Sequence, residues 1–510
     1  MKLRTWQQQC LNAWESNNFR GIVNVVTGAG KTFLALSAMD LYRACYPEAR
    51  IRIVVPTIPL ARQWQTALLH HAAPGSEPPG LFGAGYRDSV EKQVMIYIIN
   101  SARDVLSNHI RKSFALQQHV LLICDECHHY QSPQNRKIFS FISSGDGYAA
   151  LYASLGLSAT PFGTGNDHVL LQSLGREIFR YGFSQAVEDQ VIAPFIVSET
   201  AVSFLPKEKA RYQKLSRELA LLLNKLKSMY PELGQLSPSA FIRAVMKLAQ
   251  AAGMDPEDPA AAFLLKTWER KEVCVLAESR LFCALDLIAN IPSGQRVLIF
   301  CERIQQAEEM ASVLRRSLGN GVCGLYHSRM SGEARRRILE AFRDNHFRVL
   351  VSCRCLDEGI DVPDASVGIV LSSTAVSRQR IQRLGRILRR SEGKQAGSLY
   401  YLYIQESSEE MAYLPGLENN PCFPLRYDSR ERSFANDAYE YAALQVLSDA
   451  KSEGYGNAQL AELRRCLLEG LTRSDCLLPP SAIRSQFHNA ASRRERNYWK
   501  TMHKLNRLLT

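Results

Sequence analysis

At roughly 150 residues per domain, a chain of 510 residues holds about three to four domains, or two large ones with additions. Apolar residues make up 46% and charged residues 22%, and glycine (30) plus proline (21) is about one tenth of the chain, which excludes collagen-like and disordered classes. The 62 Lys+Arg against 50 Asp+Glu leave a net charge of +12, and the excess is concentrated. From Ser481 to Thr510 seven basic residues (Arg484, Arg493, Arg494, Arg496, Lys500, Lys504 and Arg507) face Glu495 alone, and six arginines lie between Arg378 and Arg390 with no acid among them. Each phosphate neutralised by such a cluster releases counterions, so a polyanion partner explains the charge; a solvated surface that opposes aggregation explains it as well.

Read in chain order, short β-branched runs alternate with helix-length segments. Gly21–Val26, Ile51–Val55, Gln93–Ile99, His119–Cys124 and Leu151–Leu157 form a first set of five strands. Arg296–Phe300, Val322–Tyr326, Phe347–Ser352, Ser366–Leu371 and Ser398–Tyr403 form a second. Continuous apolar strands spaced by helices indicate parallel sheets covered on both faces, hence α/β architecture with two doubly wound domains. Between the sets, Leu205–Ile288 is rich in Leu, Ala, Lys and Glu and reads as helices broken near Pro231, Pro238, Pro256 and Pro259. After Ile404 the pattern is helical again, apart from Leu414–Pro424. The expected division is a first α/β domain over 1–200, a helical bridge or insertion over 201–285, a second α/β domain over 286–410 and a basic helical extension over 411–510.

Thirteen cysteines, an odd number scattered from Cys10 to Cys476, do not suggest a disulfide framework in a chain of this length; reduced thiols imply the cytoplasm. The opening residues lack an apolar signal core and no apolar run approaches the ~18 residues that span a bilayer, so no membrane role is expected.

The sharpest local signal is Val25-Val26-Thr27-Gly28-Ala29-Gly30-Lys31-Thr32, placed between an apolar strand and the apolar helix Phe33–Leu41. Glycines let backbone N–H groups close around phosphate oxygens, the helix N-terminus adds positive dipole, Lys31 reaches the β/γ-phosphates and the Thr32 hydroxyl suits Mg²⁺. Val25 stands where the full eight-residue phosphate-loop pattern has its first glycine, so the reading rests on Gly28, Gly30, Lys31 and Thr32. A nucleotide site also needs carboxylates, and the His119–Cys124 strand ends in Asp125-Glu126-Cys127-His128. The carboxyl edge of a doubly wound sheet is where such residues meet a ligand. Asp125 is expected to hold Mg²⁺ and Glu126 to orient and activate the attacking water, with His128 reporting nucleotide state. Cys124-Asp125-Glu126-Cys127-His128 also matches the C-x-x-C-H haem-attachment pattern, and Cys124, Cys127, His128 and His129 are zinc-ligand types. The first requires export, and the second lacks a second Cys pair at zinc-finger spacing.

Further residues fall in an order that resembles the superfamily 2 helicases and translocases, specifically the group with XPB, RadD, phage UvsW and the motor parts of type I and III restriction enzymes. The resemblance covers about Leu3–Ile404. Leu3-Arg4-Thr5-Trp6-Gln7 is similar to the family's opening segment, which implies Gln7 and Arg4 at the adenine. Pro56-Thr57 through Gln63-Trp64 resembles the segment that touches nucleic-acid backbone, and Ser158-Ala159-Thr160 the motif coupling hydrolysis to strand movement. Leu356-Asp357-Glu358-Gly359-Ile360-Asp361-Val362-Pro363 is similar to the fifth motif, with Gly359 and Asp361 facing the nucleotide. Gln382-Arg383-Leu384-Gly385-Arg386-Ile387-Leu388-Arg389 resembles the sixth, with Gln382 in coupling and Arg386 and Arg389 as arginine fingers reaching from the second domain to the γ-phosphate held by the first. Cys353 stands where relatives commonly carry Thr at a nucleic-acid backbone contact.

The resemblance implies two tandem RecA-like domains, ATP and Mg²⁺ as cofactors, and an ATP-dependent nucleic-acid motor. DNA is favoured over RNA, in repair, recombination or defence, with a separate nuclease or repair protein as a possible partner. Two alternatives stand beside it: a duplex translocase subunit that does not unwind, and an ATP-gated nucleic-acid clamp. Tyr326-His327-Ser328, Arg335–Arg337, the lysines and arginine of Lys207, Lys209, Arg211 and Lys214, and the C-terminal Phe487, Tyr498, Trp499 and Lys500 fit either nucleic-acid contacts or ordinary structure.

Overall fold

The computed structural model describes residues 3–142, 148–163, 167–193, 195–353, 365–372, 397–409, 422–469 and 475–509. They fall into two compact units, one ending before Phe195 and one beginning with it. Gly359, Asp361, Gln382, Arg386 and Arg389 lie outside the described residues.

The first unit is built on an eight-stranded sheet: β1 (Arg20–Val25), β2 (Arg50–Val55), β3 (Gly80–Gly83), β4 (Tyr86–Arg87), β5 (Val94–Ile98), β6 (Val120–Asp125), β7 (Tyr152–Ser158) and β8 (Glu177–Tyr181). Its order is β4-β3-β5-β2-β6-β7-β1-β8, and every pairing is parallel except the β3–β4 hairpin at one edge. The helices of this unit are α1 (Thr5–Ser16), α2 (Lys31–Cys45), α3 (Ile58–His71), α4 (Ile99–Ala102), α5 (Leu106–Ala115), α6 (Asp167–Leu174) and α7 (Phe183–Glu188). All residues of β6 and β7 are buried, as strands covered on both faces must be, which is why they read as unbroken apolar runs. All five strands expected from sequence are present. The three not expected, β3, β4 and β8, are short or half-exposed and carry little of that signal.

The second unit contains β9 (Phe195–Val202), β10 (Val297–Cys301), β11 (Cys323–Tyr326), β12 (Val349–Cys353), β13 (Val367–Val370), β14 (Gly397–Ile404), β15 (Cys422–Asp428) and β16 (Ser433–Ala435), in the order β11-β12-β10-β13-β14-β9-β15-β16. Again only the terminal hairpin, β15–β16, is antiparallel. The boundary drawn at residue 200 therefore falls inside β9, which pairs over its full length with β14. Its run Phe-Ile-Val-Ser-Glu-Thr-Ala-Val is apolar enough for either sheet, and no local feature says which one it joins. The two-stranded end was likewise unexpected, because Pro424 and the charged Asp428–Arg432 turn mask the strand signal.

Between β9 and β10 run α8 (Pro206–Met229), α9 (Pro238–Ala251), α10 (Pro259–Val275) and α11 (Glu278–Asn290). The helical stretch is thus an excursion of the second sheet. Proline opens α8, α9, α10 and the 3₁₀ turn Pro231–Gln235, the position where its missing N–H costs nothing and its fixed φ suits a helix start. Tyr212, Leu215 and Val273 pack into the core beneath the second sheet, whereas Leu219, Leu226, Val245, Ala249 and Leu264 form a small core of their own. α12 (Ile304–Leu318) and α13 (Gly332–Arg343) follow in the second unit. After β16 come α14 (Asp437–Ser452), α15 (Asn457–Arg464), α16 (Pro480–Asn489) and α17 (Arg493–Leu509). Among the described residues no helix is long and apolar enough to cross a membrane.

One buried cation ties the insertion to the sheet. Arg280 of α11 is fully buried and donates to the carbonyls of Cys274 (2.8 Å) and Leu402 (2.8 Å), to that of Leu371 and to the Glu409 carboxylate. Arg280→Met keeps the volume but orphans these acceptors, and removing one partner of a buried ion pair costs about 3–5 kcal/mol. The expected result is a marked fall in the denaturation midpoint of the second unit; a midpoint within experimental error of the parent would show that this network contributes nothing.

Candidate active site

The loop after β1 turns into α2 through two glycines in the left-handed region, Gly28 (φ 85°) and Gly30 (φ 102°). A Cβ at Gly30 would also stand 3.3 Å from the Gln7 amide nitrogen, so any other residue there meets strain and crowding together. α2 starts at Lys31 with no side chain capping its first turn, leaving the N–H groups of a 15-residue helix for an anion. The Thr27 hydroxyl is buried within this loop without a hydrogen-bond partner. Free amides, an orphaned hydroxyl and an ammonium fit a polyphosphate. Thr32 and Asp125 would hold Mg²⁺, which would supply charge neutralisation on the phosphates.

α1 is clamped onto the loop from outside. Arg4 donates to the carbonyl of Ala29 (3.2 Å) and Gln7 to that of Gly30 (3.2 Å), while the Arg4 amide donates back to the Gln7 side-chain oxygen (3.0 Å). Trp6 stacks on Tyr181 of β8, 4.8 Å between ring centroids, fixing the helix. Beside Arg4 lies a cavity of ≈630 Å³ lined by Trp6, Tyr181, Gln185 and Asp189 among others. Arg4 and Gln7 therefore meet the phosphate loop directly, next to a cavity large enough to receive a ring.

The Lys31 ammonium lies 3.2 Å from a Glu126 carboxylate oxygen. Burial alone would depress its pKa; the charges of Glu126 and Asp125 more than offset that and hold it above the ordinary lysine value. Asp125 shows the converse. Burial first, then the charge of Glu126, raises it to about 6, against the pull of Lys31 and two hydrogen bonds. Those bonds come from the Glu126 amide (3.0 Å) and the Trp64 indole N–H (2.8 Å). Glu126 itself has φ 46°, a left-handed conformation uncommon outside glycine, where the strand breaks into the short 3₁₀ turn Cys127–Gln131.

From Glu126 the contacts continue along the sheet edge. His128, 4% exposed, has Nδ1 3.5 Å from the second Glu126 oxygen and 3.0 Å from the Ser158 hydroxyl at the end of β7. That hydroxyl accepts from the Thr160 amide at 3.1 Å. Lys31, Glu126, His128, Ser158 and Thr160 thus form one connected path. Cys124 is buried behind them in the sheet, its thiol held well above the usual range by desolvation, as a small hydrophobe.

Other candidates are placed differently. Thr57 caps α3, its hydroxyl accepting from the Leu60 amide at 3.4 Å, with Pro56 and Gln63 half-buried beside it on the carboxyl side of β2. Cys353 ends β12 at 4% exposure in the second core. Arg336 and Arg337 pair with Glu340 and Glu333 along α13, a solvated arrangement. Lys207, Arg211 and Lys214 are exposed on α8, where Lys209 lies 2.8 Å from Glu406. Trp499 is buried and Tyr498 donates to Asp475 (2.7 Å), so both serve the C-terminal helices. Three functional partners escaped the sequence reading: Trp64 as a donor to Asp125, Tyr130, whose hydroxyl lies 2.7 Å from the Asp125 carbonyl and 2.8 Å from that of Val54, and Gln131, which donates to the Pro161 carbonyl (2.8 Å). A tryptophan on the buried stripe of α3 must find an acceptor for its N–H, which was the available signal.

Residues 1–163 match the family described as type III restriction enzyme, res subunit, and residues 279–391 match the helicase conserved C-terminal domain. The chain is 28% identical over 398 residues to a protein named DNA 3'-5' translocase XPB2 from Sulfurisphaera tokodaii, covering 77% of this chain and 80% of that one. It is 23% identical over 416 residues to DNA 3'-5' helicase XPB from Kineococcus radiotolerans, covering 81% of this chain and 61% of the relative. Among solved structures, the ATP-dependent Type ISP restriction-modification enzyme LlaBIII bound to DNA superposes with a TM-score of 0.55 at 14% identity, over 99% of this chain and 40% of that one.

Lys31→Ala is expected to abolish ATP hydrolysis, and Glu126→Gln to retain ATP binding while losing turnover; normal steady-state ATPase in either purified variant contradicts the assignment. Trp64→Phe removes the N–H on Asp125, a hydrogen bond to a charged group and so of order 1.5–3 kcal/mol, together with three ring atoms of a fully buried side chain, so folded content is checked alongside. A drop in kcat of about tenfold or more, with ATP affinity little changed, is the expected outcome, and parental kcat would reduce the indole to packing alone.

Proposed function

The chain belongs to the superfamily 2 helicases and translocases, in the group of XPB-like proteins and restriction-enzyme motors, and on that premise we propose that it couples ATP hydrolysis to 3′-to-5′ movement along DNA. The observation that carries the reading is the path from Lys31 through Glu126 and His128 to Ser158 and Thr160. A γ-phosphate competing for Lys31 frees Glu126 for the attacking water, and the freed carboxylate shifts its second contact, to His128. Loss of phosphate restores the original pairing. A change at the triphosphate thereby reaches the end of β7 through a short run of adjacent polar contacts, which is the minimum that a motor needs and that a passive binding protein has no use for.

Arg386 and Arg389 carry the positive charge on the transition state in this proposal, Gly359 and Asp361 meet the nucleotide, Gln382 joins the coupling set, and Mg²⁺ bound by Thr32 and Asp125 accompanies ATP. Reduced thiols and the DNA-acting reading support a cytoplasmic protein. A separate nuclease or repair protein is the partner class that fits. The likeness to a restriction enzyme over 99% of the chain favours one second reading, a duplex translocase that does not separate strands.

Two assays divide these readings. Displacement of a third strand from a triplex together with unwinding of a 3′-tailed duplex supports a helicase; triplex displacement without unwinding supports the translocase. ATPase that ignores single-stranded, duplex and branched DNA alike sinks both. Arg386→Ala and Arg389→Ala are expected to slow hydrolysis by ~10³-fold or more with ATP affinity nearly intact, as for a group acting on the transition state. An unchanged kcat removes the finger role.

A further inference from the structure

The basic C-terminus is organised by α17. Trp499, Met502, Leu505 and Asn506 turn one side of it into the helical bundle, each 5% exposed or less. On the other side Arg493, Asn497, Lys500 and Lys504 recur at i, i+4, i+7 and i+11 and so line up along the helix. Of the seven cations after Ser481, only Arg494, 3.0 Å from Glu462, and Lys504, 3.1 Å from Glu453, have a carboxylate partner among the described residues. Glu495, the acid closest in sequence, is occupied as a helix cap, accepting from the Ala491 amide at 2.9 Å. Arg493 and Lys500 are left exposed and without a carboxylate partner among the described residues, although Glu462 and Glu495 line the same groove.

These two cations overlook a groove of ≈740 Å³ between α17 and the α14–α15 hairpin. Its floor is apolar (Val446, Ala450, Leu463), Tyr455 stands over it at 39% exposure, and the amides of Gln459 and Asn497 line its walls. On the α15 side the backbone passes into a π-helical turn, Arg465–Glu469, that brings Cys466 to the groove; such turns recur at binding sites. Cations on a rim, a tyrosine beside an apolar floor, the Asn497 amide and the NH2 of Gln459, whose oxygen caps α15 by accepting from the Gly456 amide at 3.0 Å, are the chemistry of unstacked nucleobases on a phosphate backbone. A duplex keeps its bases stacked inside and offers only phosphates to such a trench.

We propose that this groove is a single-strand site, distinct from the phosphate-loop machinery, that seats a few nucleotides with their bases over Tyr455 and their phosphates on Arg493 and Lys500. It gives the protein a grip on a displaced or unpaired strand that does not depend on nucleotide state. An acidic peptide would satisfy the cations and the floor but leave the two amides and the tyrosine face without a specific role.

The test uses the full chain, because removing α17 would strip the bundle of Trp499, Met502 and Leu505. Fluorescence anisotropy measures binding of labelled oligothymidylate and of a blunt duplex of equal length across a salt series. In Arg493→Ala/Lys500→Ala, oligothymidylate affinity is expected to fall at least about tenfold at physiological salt, and the slope of log K on log salt to shrink by about 1.4, near 0.7 for each lost single-strand contact. Tyr455→Ala is expected to weaken binding by about tenfold with the slope unchanged, and Tyr455→Phe to restore it, since stacking and not charge is lost. Parental affinity and slope in all variants overturn the site. An equal loss for duplex overturns the single-strand assignment, and variants that lose a polyglutamate peptide but keep oligothymidylate give the groove to a protein partner instead. Basal ATPase without nucleic acid should stay at the parental value in the groove variants, and Lys31→Ala should bind oligothymidylate as the parent does. A failure here is therefore separable from a failure of the motor reading.

Discussion

Two adjacent carboxylates at the end of one buried strand repel each other, and Lys31 is the cation that meets them. Asp125 and Glu126 are adjacent in sequence, the first desolvated and raised to about 6, the second turned by a left-handed backbone toward the loop. With Lys31 against Glu126, one carboxylate of the pair has a cationic partner before any nucleotide arrives. The ammonium that meets Glu126 is also the group that the phosphate-loop reading assigns to a triphosphate, so in that reading the two anions compete for its donors. This competition is what makes the geometry a switch and not merely a binding pocket.

The surrounding structure keeps that exchange local. Trp64 and the Glu126 amide fix Asp125, and Tyr130 bridges the carbonyls of Val54 and Asp125, so the ends of β2 and β6 move together. Gln131 reaches the Pro161 carbonyl just beyond Thr160. What remains free to respond is the short path through His128 and Ser158. A low-dielectric setting strengthens each contact of that path and equally penalises any that is left unmade, so a shift at Glu126 is transmitted and not absorbed.

How much of this was legible depends on whether the chemistry is local. Gly28, Gly30, Lys31 and Thr32 could be read because a phosphate loop is built from consecutive residues; the Asp125-Glu126 pair could be read because an apolar strand ending in acids has few other uses. The helical insertion announced its own starts through Pro206, Pro231, Pro238 and Pro259. The indole bond to Asp125 spans 61 positions, and Arg280 reaches Leu371 and Leu402 across 91 and 122, separations at which no spacing rule operates. β9 failed for a related reason: its composition says strand, while the sheet it joins is decided by β14, some two hundred residues later.

The C-terminal helices show the same division between composition and placement. Charge alone left a polyanion site and a solubilising surface equally plausible, and Phe487, Tyr498, Trp499 and Lys500 fitted either nucleic-acid contacts or ordinary structure. Placement separates them: Trp499 is held inside the bundle, Tyr498 is half-buried against Asp475 while also lining the groove, and Tyr455, from a different helix hairpin, is the more exposed ring of that groove. Two of the cations are spent on Glu462 and Glu453, which locks α17 to α15 and to the end of α14 and so shapes the groove that the unpaired ones overlook. A purely solubilising surface has no need of a trench lined by Val446, Ala450 and Leu463 beneath a rim of unpaired cations.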